Sequence, residues 1–171
     1  HHKGKRGKDS ENKQPTLLIL STLEDNNYPQ YVKLHTLPNY KGEPIEEYLK
    51  EKCLFDPTIV INCDRDKAFF CLNKLAQLEN SVVDYTKENH KLKWLNTFIG
   101  NIQSNINHLY RLVKKRDLPL FLSEQEWRIN HRYSGKRIMD KVKKYISMST
   151  PVTFKQITNS VLAYEKQFLS A

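Results

Sequence analysis

The chain has 171 residues, of which 39% are hydrophobic and 11% aromatic, so it is long enough for one domain with a core and too apolar for global disorder. No apolar run approaches the roughly 20 residues of a membrane helix, and the three cysteines lack the spacing of a disulfide framework or a zinc site. The net charge of +9 favours a polyanionic partner through counterion release. These features predict a soluble, cytoplasmic protein with no membrane partner.

The positive charge is concentrated in three parts of the sequence. KGKRGK occupies residues 3–8, RLVKKR occupies residues 111–116, and a third cluster extends from Arg128 to Lys144. Separate basic clusters of this kind are typical of a surface that follows a nucleic-acid backbone. A solvated helix face or loop has the same composition, so both interpretations stay open for any one cluster.

The first half of the chain alternates between strand and helix patterns. Two β-rich segments, 16–23 and 30–37, flank the turn-forming EDNNYP and predict a β-hairpin. The patterns that follow indicate helix, strand, helix, strand and a long helix. Their predicted bounds are 42–54, 58–63, 66–78, 81–86 and 88–115.

The second half is predicted to be helical. Asp117-Leu118-Pro119 ends the long helix, a further helix covers 118–133, and Ser134-Gly135 separates it from the basic segment 136–148. A last helix is expected over roughly 154–169. The element order predicts an α/β fold with a mixed sheet. It also divides the chain into a flexible basic segment (1–13), a main domain (14–150) and a C-terminal helical segment (151–171).

Asp64 has two possible roles. It follows the apolar strand pattern TIVINC and precedes a helical pattern, so it could cap that helix by accepting backbone N–H bonds. It could also bind a metal, because open α/β folds place their sites at the carboxyl ends of strands. Asn101 lies in the long helix, and its amide oxygen could share a hard cation such as Mg²⁺ with the Asp64 carboxylate. Taken alone, the strand end favours capping.

Six segments of the sequence form an ordered series: GKRGK, KQPTLLILST, PQYVKLHTL, NCDRDKAF, KWLNTFIGNIQ and EQEWRINHR. In order and spacing this series resembles the catalytic domain of bacterial insertion-sequence transposases of the ISXO-like group. The resemblance extends from Gly4 to about Ile157. Its most specific part is an acid, an aromatic residue, Arg, Asn and Arg near the end of the domain. These are Glu124, Trp127, Arg128, Asn130 and Arg132.

The resemblance implies an RNase H-like fold that cuts and joins DNA with Mg²⁺ or Mn²⁺, using a triad of Asp, Asp and Glu or Asn. Asp64 matches the second Asp and Asn101 the third position, so both are predicted catalytic residues and metal ligands. The implied partner is DNA, and no small-molecule substrate is expected. The intact protein is expected to form a homo-oligomer and to associate with the nucleoid when it acts. The residues then predicted to bind DNA are Lys5, Arg6, Arg111, Lys114, Lys115, Arg128, Arg132, Lys136 and Arg137.

The sequence also departs from the pattern of that group. The group's first Asp lies on a strand just before GKRG, and this chain begins at His1-His2-Lys3. We therefore expect a domain that lacks its first, central strand and binds metal poorly, since one carboxylate and one amide are few ligands for a hard cation. The chain is predicted to be an inactive, N-terminally truncated transposase. The alternative is a catalytically dead remnant that binds DNA or self-associates.

Overall fold

The computed structural model describes residues 13–23, 28–53, 58–64, 66–80, 91–110, 113–135, 137–153 and 155–159. The predicted flexible segment 1–13 lies outside this range except for Lys13, and the predicted strand 81–86 lies wholly outside it. The division into segments 1–13, 14–150 and 151–171 stays a prediction.

The chain starts with the β-hairpin that the sequence predicts. Strand β1 is Thr16–Thr22 and strand β2 is Pro29–Thr36, and they pair antiparallel with Leu18 opposite Leu34. Side chains alternate between the two faces of a strand, and both faces of β1 carry apolar residues. Leu17 and Ile19 therefore contribute to one core cluster, and Leu18 and Leu20 to another. The hairpin thus lies between two layers.

The first core cluster lies between the hairpin and helix α1, Gly42–Lys52. This helix buries Ile45, Tyr48 and Leu49, which follow helical spacing. A 3₁₀ segment, Lys67–Lys74, packs on the same cluster through Leu72. The start of α1 approaches this segment so closely that a Cβ at Gly42 would lie 3.0 Å from the carbonyl oxygen of Ala68. Glycine is therefore the residue that fits this contact.

A second, parallel pair of strands follows. Strand β3 is Val60–Cys63 and strand β4 is Gln77–Asn80, with Ile61 aligned to Leu78. The predicted helix 66–78 is thus wrong at its C-terminal end, where the chain forms a strand, and the regular part is 3₁₀ rather than α. QLEN has no β-branched residue, so local propensity favours a helix; pairing with β3 overrides it.

The second core cluster lies on the other side of the hairpin. Helix α2, Lys93–Leu109, and helix α3, Leu118–Asn130, are separated by a 3₁₀ turn at Lys115–Asp117. Ile102 and Leu122 pack against the hairpin there. The predicted helix 88–115 is too long, because residues 91–92 form a turn and 113–114 have no regular structure. Leu92 is nevertheless only 5% exposed, so the apolar periodicity there reports burial rather than helix.

Gly135, with φ of +51°, lies between α3 and helix α4, Arg137–Met148. Within the described range α4 has no buried residue, although its sequence is amphipathic. Residues 155–159 are helical, and the remainder of the predicted helix 154–169 lies outside the described residues. None of the helices in the described ranges is long and apolar enough to cross a membrane.

The predicted α/β class is confirmed. Over the described residues, however, the strands form two separate sheets of two strands each, one antiparallel (β1–β2) and one parallel (β3–β4), rather than a single mixed sheet. The two sheets contribute to the same core, since Ile19 of β1 and Ile61 of β3 both pack on the first cluster.

Candidate functional site

Asp64 lies directly after β3 and is exposed to solvent. Its Oδ1 accepts a hydrogen bond from the backbone N–H of Asp66, at 3.1 Å, which forms a local turn. Asp66, not Asp64, caps the 3₁₀ segment, because its Oδ1 accepts from the N–H of Ala68, also at 3.1 Å. The capping role considered for Asp64 therefore belongs to the residue two positions later.

Two neighbours respond to the charge of Asp64. The pKa of the Tyr40 phenol is raised, first by burial and then by the negative charge of Asp64. The pKa of the Cys63 thiol is raised by the same two causes in the same order. On β3 itself, the amide oxygen of Asn62 is buried and accepts no hydrogen bond from any residue in the described part of the chain. The end of β3 is thus a polar site beside a buried, unsatisfied oxygen.

Asn101 lies on the exposed side of α2. It borders a shallow pocket together with Phe98, Ile102, Asn105 and Ile129. Helix α2 packs on the second core cluster, whereas β3 packs on the first. The described residues contain no group of three or more His, Cys, Asp or Glu side chains that could hold a metal ion. A site shared by Asp64 and Asn101 therefore stays a prediction.

Helix α3 binds the outer edge of β2 through polar side chains. The Asn130 amide makes two bonds to Val32: its Oδ1 accepts from the backbone N–H at 2.8 Å and its Nδ2 donates to the carbonyl oxygen at 2.9 Å. One helical turn earlier, Glu126 Oε2 accepts from the N–H of Leu34 at 3.0 Å. These bonds occupy backbone groups that a third strand would otherwise use. Sequence reasoning assigned no role to Glu126, although its spacing of four from Asn130 placed both on one helix face.

The basic residues of α3 differ in their surroundings. Arg132 donates to the carbonyl oxygens of Pro29, Gln30 and Ile129, so its guanidinium is held against the start of β2. Arg128 is 60% exposed and forms an ion pair with Glu124 one turn before it. An exposed pair of this kind contributes little to stability and leaves the charge accessible to a phosphate.

The other residues predicted to bind DNA are distributed along the chain. Lys114, Lys115 and Arg137 are exposed, and Lys114 lines a cleft with Tyr110 and Phe121 at the end of α2. The remaining predicted residues lie outside the described part of the chain. They are Lys5, Arg6, Arg111 and Lys136.

Comparison with known families identifies the chain. Residues 1–130 match the family described as the ISXO2-like transposase domain. Comparison with curated proteins and with solved structures gave no match. The match covers most of the chain and includes Asp64, Asn101 and α3, so this protein belongs to the ISXO2-like transposase family.

Proposed function

We propose that the activity of the family to which this chain belongs is metal-dependent cleavage and transfer of DNA strands, with Asp64 and Asn101 as metal ligands. The observation that carries the proposal is an exposed carboxylate at the carboxyl end of a parallel strand, in a chain of a transposase family. A divalent ion such as Mg²⁺ or Mn²⁺ would stabilise the attacking and leaving oxygens of the phosphodiester. The role of the protein is to hold the ligands and position the DNA.

We also propose that the two sheets are parts of one RNase H-like mixed sheet. A single strand placed antiparallel to β1 and parallel to β3 would join them into five strands. Two features of β3 support this. Ile59 and Val60 are 36% and 42% exposed at its start, and the Asn62 amide oxygen is buried and unpaired with respect to the described residues. A neighbouring strand would cover the apolar side chains and bring polar groups close to Asn62.

The two proposed ligands, Asp64 and Asn101, are of the type that a hard cation prefers, but two ligands are too few for tight binding. Asp64 supplies a carboxylate and Asn101 an amide oxygen, whereas two-metal chemistry uses several anionic oxygens. We therefore expect the 171-residue chain to bind Mg²⁺ or Mn²⁺ with a dissociation constant on the order of 1 mM or weaker. We expect no strand cleavage by this chain alone.

The test combines a metal titration with a DNA assay. Mn²⁺ binding is measured by electron paramagnetic resonance on the intact chain and on Asp64→Asn, with Asp140→Asn on exposed α4 as the matched control. Asp64→Asn should weaken binding and Asp140→Asn should not. Equal effects of the two variants would contradict the assignment of Asp64. Cleavage of a labelled duplex by the intact chain, abolished in Asp64→Asn, would support the activity and overturn the expected inactivity.

The second candidate function is DNA binding without chemistry, and the exposed basic residues Lys114, Lys115, Arg128 and Arg137 favour it. Binding of a duplex should weaken as salt rises, with each phosphate contact contributing about −0.9 to the slope of log K against log salt. Arg128→Ala should reduce that slope by about one unit, because the side chain is exposed. Affinity that does not change between low and moderate salt would exclude these residues as a DNA-binding site.

A further inference from the structure

Three aromatic rings meet where the hairpin, the start of α2 and the end of α3 come together. The rings of Tyr28 and Trp94 contact edge to face, with centroids 5.5 Å apart. Tyr28 also lies 6.4 Å from Tyr133, and their hydroxyl groups form a hydrogen bond. That bond raises the pKa of Tyr28 and lowers that of Tyr133. We call Tyr28, Trp94 and Tyr133 the aromatic cluster.

The aromatic cluster is open to solvent on the Tyr133 side. Tyr133 is 66% exposed and Tyr28 is 38% exposed, although aromatic side chains usually bury most of their surface in a core or an interface. The guanidinium carbon of Arg132 lies 4.5 Å from the centroid of Tyr133, a cation–π contact that covers one face of the ring. The geometry therefore holds Tyr133 in place and leaves much of its surface accessible.

Basic residues lie near the exposed ring. Besides Arg132, the Lys141 ammonium donates to the hydroxyl of Ser134 at 3.1 Å, next to Tyr133 in sequence. The backbone N–H of Arg137 bonds to the carbonyl oxygen of Ser134 at 3.0 Å, which places this exposed residue nearby. An accessible ring among cations is suited to a planar group attached to phosphates.

The cluster also lies on the same face of α2 as the proposed ligand Asn101. Trp94, Phe98 and Asn101 are separated by four and three positions, so their side chains form one stripe along the helix. Seven residues correspond to about 10 Å along the axis. A nucleotide on the cluster would therefore be only a few phosphates away from DNA bound at Asn101.

From these observations we propose that the aromatic cluster is a binding site for an unpaired DNA base, which stacks on Tyr133 while the neighbouring cations hold its backbone. The inference rests on the proposed function, since it assumes that DNA is the substrate. Stacking on a ring tolerates any base, because every base has a π-face. Tyr133 then has two tasks. Its hydroxyl joins the end of α3 to the hairpin through Tyr28, and its ring receives the base.

The experiment uses the full chain and three fluorescent duplexes of equal length. One is blunt, one has a short single-stranded tail, and one has a tail of the same phosphates without bases. The native chain should bind the tail with bases about 5- to 150-fold more tightly than the tail without bases, the range expected for stacking of one base. Anisotropy titrations at one salt concentration measure all three affinities.

The variants separate the ring from the hydroxyl. Tyr133→Ala should remove the preference for bases, and Tyr133→Phe should keep it because the ring remains. Tyr31→Ala is the matched control, since Tyr31 is also 66% exposed but lies outside the cluster. If Tyr133→Ala does not fold, Tyr133→Leu takes its place, because leucine keeps apolar volume without a π-face.

The outcomes distinguish the two proposals. A native chain that binds all three duplexes equally would overturn the base site while leaving DNA binding intact. A loss of preference in Tyr31→Ala as large as in Tyr133→Ala would also overturn it. A native chain that binds none of the duplexes would contradict DNA binding itself, and with it the proposed function.

Discussion

The outer edge of β2 and the strand β3 differ in their hydrogen-bond partners. Asn130 and Glu126 of α3 form hydrogen bonds with the β2 backbone at Val32 and Leu34, in the manner of a neighbouring strand. Strand β3, in contrast, pairs only with β4 among the described strands and exposes 42% of Val60. The candidate catalytic residue Asp64 follows the open strand. Two residues of the sequence signature, Asn130 and Arg132, instead bind the backbone of β2.

This difference shows that a residue of a sequence motif can either stabilise the fold or contact the substrate. Asn130 is the last residue of the family match and Arg132 lies two positions beyond it, and the described hydrogen bonds of both side chains go to backbone atoms. An amide that pairs with both the N–H and the C=O of one residue must be Asn or Gln of the right length. Side chains of this segment can therefore serve the fold without contacting the substrate.

The largest expected effect comes from two matched core leucines. Leu122 of α3 and Leu72 of the 3₁₀ segment are both 3% exposed, one in each core cluster. Leu122→Ala should cost about 3–5 kcal/mol, because side-chain bonds hold α3 against β2 and the cavity cannot collapse. Leu72→Ala should cost about 2–3 kcal/mol, because the 3₁₀ segment connects β3 to β4 and can move to fill part of the cavity. Urea unfolding measures both free energies.

The control for this pair is Leu120→Ala, on α3 at 47% exposure, which should change the free energy of unfolding by no more than about 0.5 kcal/mol. If Leu72→Ala costs as much as Leu122→Ala, the two regions are equally rigid and the comparison between them fails.

An intermediate effect is expected from Asn130→Ala. The substitution leaves the N–H and C=O of Val32 without their side-chain partner, which should cost about 2 kcal/mol because both groups are partly buried. Asn107→Ala, on the exposed side of α2, is the matched control and should be nearly neutral. Thermal unfolding of the two variants is sufficient. A change for Asn130→Ala no larger than for Asn107→Ala would show that α3 does not close the β2 edge.

The smallest expected effect is on the pH dependence of stability. It comes from His35, on the face of β2 that contacts α1. His35 stacks on Tyr48 with ring centroids 3.9 Å apart, and burial is the main cause of its lowered pKa. The unfolded chain therefore binds this proton more readily, and stability should fall as the pH decreases below about 6.5 towards the folded pKa. His35→Phe keeps the stacking and should lose less stability than the native chain between pH 7.5 and 5.5. Identical pH dependence of the two proteins would show that His35 does not contribute.

Much of the fold follows from local patterns. The hairpin has alternating apolar residues on either side of turn formers, and Asp64 follows a short β-branched strand as predicted. Strand β4 could not be predicted, because QLEN has no strand propensity and forms only where β3 offers a partner. The start of α2 was missed because Leu92 is buried in a turn at helical spacing.

The sequence by itself determined the family and the α/β class, since these depend on residue type and order, and it predicted Asp64 and Asn101 as site residues. Only the tertiary structure decided which aspartate caps the 3₁₀ segment, how α3 closes the edge of β2 and where the aromatic cluster lies. The last two of these features join residues about a hundred positions apart, such as Val32 with Asn130 and Tyr28 with Tyr133. No local pattern contains such distances, because hydrogen bonds between elements form only after the core has brought the elements together.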